Sequence, residues 1–136
     1  MKQVVTVAAV MLVSLTAFAG KAEREYMKNE VMPVVKKAQD NFKKFCGCAL
    51  AIKVNESTIK TTDDMYPAKH IASSVADGVE GYCTDDASKK AVCQMKSLEI
   101  SKASEAVFTF KGGKGVATTD GQSHVSFDMM TRELDK

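Results

Sequence analysis

Residues 45–54 have the sequence FCGCALAIKV, and the hydrophobic pattern changes within this stretch. Before Gly47, apolar residues recur at steps of three and four, which is the period of a helix. After Gly47, every second residue is apolar, which is the period of a strand with one buried side. The alternating positions are Cys48, Leu50, Ile52 and Val54. The stretch therefore predicts a helix that ends near Gly47 and a strand over 48–55.

Upstream of this point, residues 22–45 carry one apolar stripe and charged side chains on the other faces. The members of the stripe are Met27, Val31, Val34, Val35, Ala38, Phe42 and Phe45. Pro33 lies inside the segment and removes one backbone donor. We therefore expect a helix over 22–45 that is kinked or divided at this proline.

Downstream, a second helix is predicted from about Asp64 to Tyr82, with Asp64 as its cap, and Thr84-Asp85-Asp86 is the predicted cap of a short third helix through Cys93. The remainder alternates and contains glycine-rich turns, which predicts strands. The predicted strands are 96–102, 105–111, 115–119 and 123–131. Their short connections favour consecutive antiparallel pairing, which predicts a three-stranded meander in the C-terminal third, and the sequence leaves open whether the strand over 48–55 joins the same sheet. The predicted class is α+β, in the order α-β-α-α-β-β-β: two main helices and a short third on an antiparallel sheet of three to four strands.

The first 19 residues have the composition of a cleavable export signal. Lys2 supplies a positive charge, an apolar run follows over 4–15, and Ala17-Phe18-Ala19 supplies the small residues of a cleavage site. A run of this length is too short for a membrane anchor, because the hydrocarbon core is about 30 Å thick. We therefore predict a signal peptide over 1–19, a single domain over 20–136, and a periplasmic or secreted location with no stable membrane anchor after cleavage.

Four cysteines lie beyond the predicted signal: Cys46, Cys48, Cys83 and Cys93. An even number of cysteines in an oxidising compartment predicts two disulfides. A bond between Cys46 and Cys48 would close a very small ring around Gly47, which demands unusual backbone geometry. Both are therefore expected to cross to the later pair, in either of the two possible patterns.

The charge balance excludes partners that require a strongly charged surface. The chain has 19 basic and 17 acidic residues, and cleavage would remove Lys2 to leave a net charge of +1. A nearly neutral domain has no electrostatic attraction to nucleic acid or anionic lipid. The partner that we expect is another protein.

The residues that carry chemistry in other proteins are sparse in this chain. Asp120, Ser123 and His124 have the residue types of a hydrolase, and Asp120, His124 and Asp128 have those of a metal site. On the predicted strand, however, residues 124 and 128 would lie about 13 Å apart. A turn at the surface explains these residues, and the sequence predicts no cofactor and no metal.

The favoured function is binding by a disulfide-stabilised scaffold, for example to an envelope component, an enzyme or a toxin. The predicted contact surface is the hairpin over 111–123 with the adjoining end of the sheet. Its proposed contacts are Lys111, Lys114, Asp120 and His124.

Two alternatives to protein binding stay open. The first is a small enzyme, either a thiol–disulfide oxidoreductase that uses Cys46 and Cys48 or a hydrolase that uses His124. The second is a carrier of an apolar ligand. Its pocket would be lined by Met65, Phe108, Phe110, Phe127 and Met129.

Overall fold

The computed structural model describes residues 20–136 of the 136-residue chain. The predicted signal peptide lies outside the described residues. The described part has an α+β fold in which helices cover one face of a four-stranded mixed sheet. Its helices are α1 (Lys21–Tyr26), α2 (Met32–Cys46), α3 (Thr62–Tyr82), α4 (Asp86–Val92) and α5 (Phe127–Leu134), and its strands are β1 (Ala51–Val54), β2 (Ser97–Lys102), β3 (Phe108–Lys111) and β4 (Lys114–Thr119).

The predicted N-terminal helix is present and is divided next to Pro33, as its sequence requires. A π-helical turn, Met27–Val31, joins α1 to α2. Pro33 follows at the start of α2, where its missing N–H is least costly. The helix ends at Gly47, whose φ of 82° is the left-handed conformation of a glycine C-cap.

Helices α3 and α4 begin with side-chain caps. Thr61, not the predicted Asp64, caps α3 by accepting a hydrogen bond from the Asp64 N–H at 3.1 Å. Asp85 caps α4 by accepting from the Ser88 N–H at 2.8 Å, as the Thr84-Asp85-Asp86 sequence indicated. Helix α3 packs against α2 and against the sheet, and it forms the centre of the helical layer.

The prediction of a purely antiparallel sheet is wrong. The strand order is β1-β2-β4-β3; β1, β2 and β4 run parallel, and only β3 is antiparallel to its neighbour β4. Strand β1 does join the sheet. In the sequence, α3 and α4 connect β1 to β2. Through them the chain returns to the end of the sheet at which β1 begins, so β2 runs parallel to β1.

Strand β4 lies between β2 and β3 and has small residues at two of its buried positions. Gly115 and Ala117 are buried and face the helices. A Cβ atom on Gly115 would lie 2.6 Å from the Met95 sulfur and 2.8 Å from the Phe108 ring, so these larger side chains fill the space that glycine leaves. Phe108 and Phe110 of β3 are only partly buried, which suits an edge strand. After β2, the chain passes the position that β4 later occupies, and β3 forms the edge of the sheet.

The predicted strand over 123–131 is also wrong. Only an isolated bridge joins Thr119 to His124, and the chain then forms α5, capped by the Ser126 side chain. The buried residues of α5 are Phe127, Met130, Thr131 and Leu134. This spacing of three and four is helical, and it competes with the alternation that predicted a strand.

Two disulfides join the end of α2 to the helices that follow β1, and all four cysteines are bridged. Cys46 bonds Cys83 at the end of α3, and Cys48 bonds Cys93 at the end of α4. The predictions of two bridges and of no bond between Cys46 and Cys48 are confirmed. Such bridges are typical of oxidising compartments outside the cytoplasm.

Candidate functional site

The four predicted contact residues lie at the two ends of β4. Lys111 and Lys114 flank the turn between β3 and β4, whereas Asp120 and His124 follow the last residue of β4. Six residues of strand span about 17 Å. The structure therefore divides the predicted surface into two separate surfaces.

The hairpin end presents a tight turn with a basic residue on each side. Gly112 and Gly113 have φ values of 59° and 82°, which suits the two-residue turns that join antiparallel strands. Lys114 Nζ lies 3.3 Å from Glu99 Oε1 on the open face of the sheet. A hydrogen bond from Asn55, assisted by Lys114, lowers the pKa of Glu99. Part of the positive charge at this end is thus balanced within the chain.

The opposite end of β4 continues into an ordered loop over 119–126. The Asp120 carboxylate accepts hydrogen bonds from the backbone N–H groups of Gln122 and Ser123 at 2.9 and 2.7 Å. These bonds lower the pKa of Asp120. The Thr119 hydroxyl donates to the Ser123 carbonyl and accepts from the Gly121 N–H, which closes the loop on itself. The loop holds His124 in a fixed position at the end of the sheet.

His124 is part of an aromatic cluster that we define as Tyr66, His70 and His124. The imidazole rings of His70 and His124 are nearly parallel, with centroids 5.5 Å apart. Tyr66 lies one helical turn before His70, and the two rings are in a T-shaped arrangement with centroids 4.5 Å apart. Tyr66 is 58% exposed. The cluster therefore joins the start of α3 to the loop after β4 and presents an aromatic ring to solvent.

An ion pair lies beside the aromatic cluster at the same end of the sheet. Asp64, which is 7% exposed, contacts Lys102 Nζ at 2.9 Å. Gly121 of the loop adjoins both side chains. Lys102 ends β2 and Thr119 ends β4, so these groups surround the carboxyl ends of parallel strands. Ligands of sheets with parallel strands commonly bind at this end.

The geometry does not assemble the hydrolase or metal site that the residue types allowed. The Asp120 carboxylate binds backbone N–H groups, whereas His124 stacks on His70 and its Nδ1 lies 3.2 Å from the Val125 carbonyl oxygen. Within residues 20–136, no group of three His, Cys, Asp or Glu side chains is placed to hold a metal ion. Asp128 lies on α5 and pairs with Arg132.

The residues of the predicted carrier pocket do not line one cavity. Met65 and Phe127 are in the core, Met129 is 36% exposed, and Phe108 and Phe110 lie at the β3 edge. Of these five residues, Phe127 lines one of three clefts in the described chain, and the linings of the other two contain none of them. One of about 460 Å³ adjoins β1, one of about 510 Å³ separates α3 from α5, and one of about 530 Å³ separates α2 from α3.

Comparison with known proteins adds no assignment, because no family model, curated protein or solved structure matches this chain. Among the described helices, none combines the length and apolar character that crossing a bilayer requires.

Tyr66 and His70 are not among the contact residues that the sequence predicted. Their i, i+4 spacing on the solvent side of the α3 stripe is visible in the sequence and places both on one helix face. The contact of His70 with His124, 54 residues further along the chain, depends on the path of β4 and its loop.

Proposed function

We propose that this protein is exported and acts outside the cytoplasm by binding another protein. The observation that carries the proposal is the aromatic cluster, which presents an exposed tyrosine beside two imidazoles at the carboxyl ends of β2 and β4. Tyrosine is enriched among the residues that dominate binding energy, because a rigid ring gains a large contact area at a low entropic cost. The disulfides support a rigid scaffold for such a surface.

Binding explains the cluster better than catalysis does. A nucleophile needs a base within hydrogen-bonding distance, and that base needs a group that orients it. His124 stacks against a second imidazole, and the neighbouring carboxylate of Asp120 is bound by backbone N–H groups. Cys46 and Cys48 each bond to a different helix end, as structural bridges do. These contacts favour a contact surface over a small enzyme.

The hairpin is a second candidate surface within the same function. Lys111 and Lys114 are exposed at its tip, and the glycine turn allows a partner to approach the backbone closely. This surface would favour an acidic partner. Binding at one end of β4 can be distinguished from binding at the other, because a partner bound at one end would leave the other end accessible.

Site-specific photo-crosslinking in the native cell tests the proposal. A photoreactive phenylalanine analogue replaces Tyr66, Lys111 or, as a control on the exposed side of α4, Lys90. We expect a discrete crosslinked protein from position 66 and none from position 90. A crosslink from position 111 alone would assign binding to the hairpin. The absence of a discrete product from both 66 and 111 would contradict protein binding.

Mass spectrometry of the protein from the same cells tests export. We expect a chain that begins at Gly20 and whose four cysteines react with alkylating reagents only after reduction. A chain that retains residues 1–19, with four reactive thiols, would contradict the proposed location.

A further inference from the structure

His70 and His124 stack on each other although they come from distant parts of the chain. His70 lies in α3, and His124 follows β4 in the 119–126 loop. The planes of the two rings differ by 13°, their centroids are 5.5 Å apart, and both residues are half-buried. The stack therefore joins α3 to the end of the sheet, and Tyr66 extends it toward solvent.

Two neighbouring imidazoles respond to acid differently from one. Histidine is the side chain whose charge ordinarily changes between about pH 5 and 8. While at most one ring of the stack is protonated, the pair contains no like charges. When both are protonated, two positively charged rings lie 5.5 Å apart. This distance is shorter than the Debye length of about 8 Å at physiological ionic strength, so salt screens the repulsion only in part.

The charged groups around the aromatic cluster have contacts of their own. The Asp120 carboxylate accepts hydrogen bonds from N–H groups of the loop, and Asp63 and Asp77 lie on α3 about 10 Å along the helix axis from His70. Within residues 20–136, no hydrogen bond or ion pair joins a carboxylate to His70 or His124, so a second positive charge in the stack has no direct counter-ion there. The elements next to the cluster carry three ion pairs: Asp64–Lys102 at the end of β2, Glu30–Lys69 between the π-helical turn and α3, and Asp128–Arg132 on α5.

We propose that acid separates the two imidazoles and thereby releases the partner that binds at the aromatic cluster. The inference rests on the proposed function and adds the regulation of the same site. Protonation of both rings replaces an aromatic contact by repulsion, and the rings move apart by rotation of their side chains or by displacement of the 119–126 loop. Because Tyr66 contacts His70 whereas the loop carries His124, this separation divides the surface that the three rings form.

Protons and the partner therefore compete for the aromatic cluster. The stacked arrangement binds the partner and resists a second proton, whereas the separated arrangement accepts both protons and lacks the joint surface. Linkage is reciprocal, so a bound partner must also oppose protonation of the pair.

NMR spectroscopy of the purified protein tests the separation without the partner. At about pH 8 we expect a nuclear Overhauser effect between the ring protons of His70 and His124, and at about pH 5 we expect its loss together with shifts of the amides over 119–126. His70→Gln removes one of the two charges, so its amide changes should be confined to residues 123–125. Asp63→Asn, which removes a carboxylate near the cluster, should behave like the unaltered protein.

Two results of this experiment would overturn the inference. The first is a ring–ring Overhauser effect that persists in acid. The second is a His70→Gln variant whose amides change over the whole loop as much as those of the unaltered protein. If Asp63→Asn alone abolished the change, titration of a carboxylate would be its cause, and the inference would be wrong.

The release is tested by crosslinking from position 66 in cells suspended at the same two pH values. We expect the yield of the crosslinked product to fall at least about fivefold in acid, which is the lower end of typical couplings between two binding events. In His70→Gln the ratio of the two yields should approach one, whatever the yield itself, because two like charges no longer form. A yield independent of pH in the chain with both histidines would contradict the inference.

These outcomes distinguish the inference from the proposed function. A discrete product whose yield is independent of pH supports protein binding and contradicts its regulation by acid. The absence of any product from position 66 contradicts binding at the aromatic cluster and, with it, the release. The ring–ring Overhauser effect then still decides whether acid separates the two imidazoles.

Discussion

Replacement of Gly78 by alanine tests whether contact with Phe127 fixes the position of α5. The added Cβ would lie 2.6 Å from the Phe127 Cδ2 atom and 3.2 Å from Cγ, whereas carbon atoms in contact prefer about 3.5–4.0 Å. The ring must therefore shift by about 1 Å. Phe127 is 5% exposed, and its backbone N–H donates a hydrogen bond to the Ser74 hydroxyl at 3.0 Å. Overpacking of this kind costs about 1–3 kcal/mol, which exceeds the gain in helix propensity of up to about 1 kcal/mol.

We therefore expect Gly78→Ala to lower the free energy of unfolding by about 1–2 kcal/mol. Gly81→Ala is the matched control on the same helix, because within residues 20–136 no atom outside the helix backbone and the adjacent residues lies within 4 Å of its added carbon. It should be neutral or stabilising by up to about 1 kcal/mol. Urea denaturation followed by circular dichroism, with the disulfides intact, measures both. If Gly78→Ala were as stable as Gly81→Ala, the packing of α5 on α3 described above would be refuted.

Three further predictions concern the contacts that tie the elements together. Replacing Cys46 and Cys83 by alanine removes a bridge across a sequence separation of 37 residues and should cost about 2–4 kcal/mol in guanidinium denaturation; unchanged stability would contradict a structural bridge. Burial, followed by the hydrogen bond to Asp135, raises the pKa of Tyr82 to about 12, so ultraviolet titration should show one late tyrosine that is absent in Tyr82→Phe. The pKa of Glu99 is lowered in the folded state, so the Glu99 carboxylate stabilises the fold above its ordinary pKa of 4.5, and this stabilisation is lost as the pH falls through the lowered pKa. We therefore expect the free energy of unfolding of Glu99→Gln to depend less on pH in acid. An unchanged dependence would count against the Asn55 hydrogen bond.

Only part of the candidate site could be predicted from the sequence. Asp120 and His124 were identified because turn residues at the end of a strand are exposed, and the structure places both in the 119–126 loop. Lys111 and Lys114 were assigned to the same surface because they are close in sequence, yet β4 separates them from His124. Sequence proximity within a hairpin does not imply proximity in space when the strand between the residues is extended.

The sequence by itself determined the elements whose hydrophobic pattern is long and matches either the helical or the strand period, but not both. The stripe over 22–45, the alternation over 48–55 and the stripe of α3 each match one period, and Pro33 and Gly47 act through their own backbone restrictions. The exclusion of a Cys46–Cys48 bond is likewise local, since it depends on the geometry of a three-residue segment.

Only the tertiary structure decided the strand order, the pairing of the disulfides and the state of residues 123–131. Strand order depends on which side chains meet across the sheet, and at Gly115 of β4 the space is filled by Met95, which precedes β2, and by Phe108 of β3. Val125, Phe127 and Met129 alternate, whereas Phe127, Met130 and Leu134 recur at steps of three and four, and in the helix Phe127 packs against Gly78 of α3. Each of these outcomes depends on which distant surfaces meet, and a local pattern of hydrophobic residues carries no information about its partner.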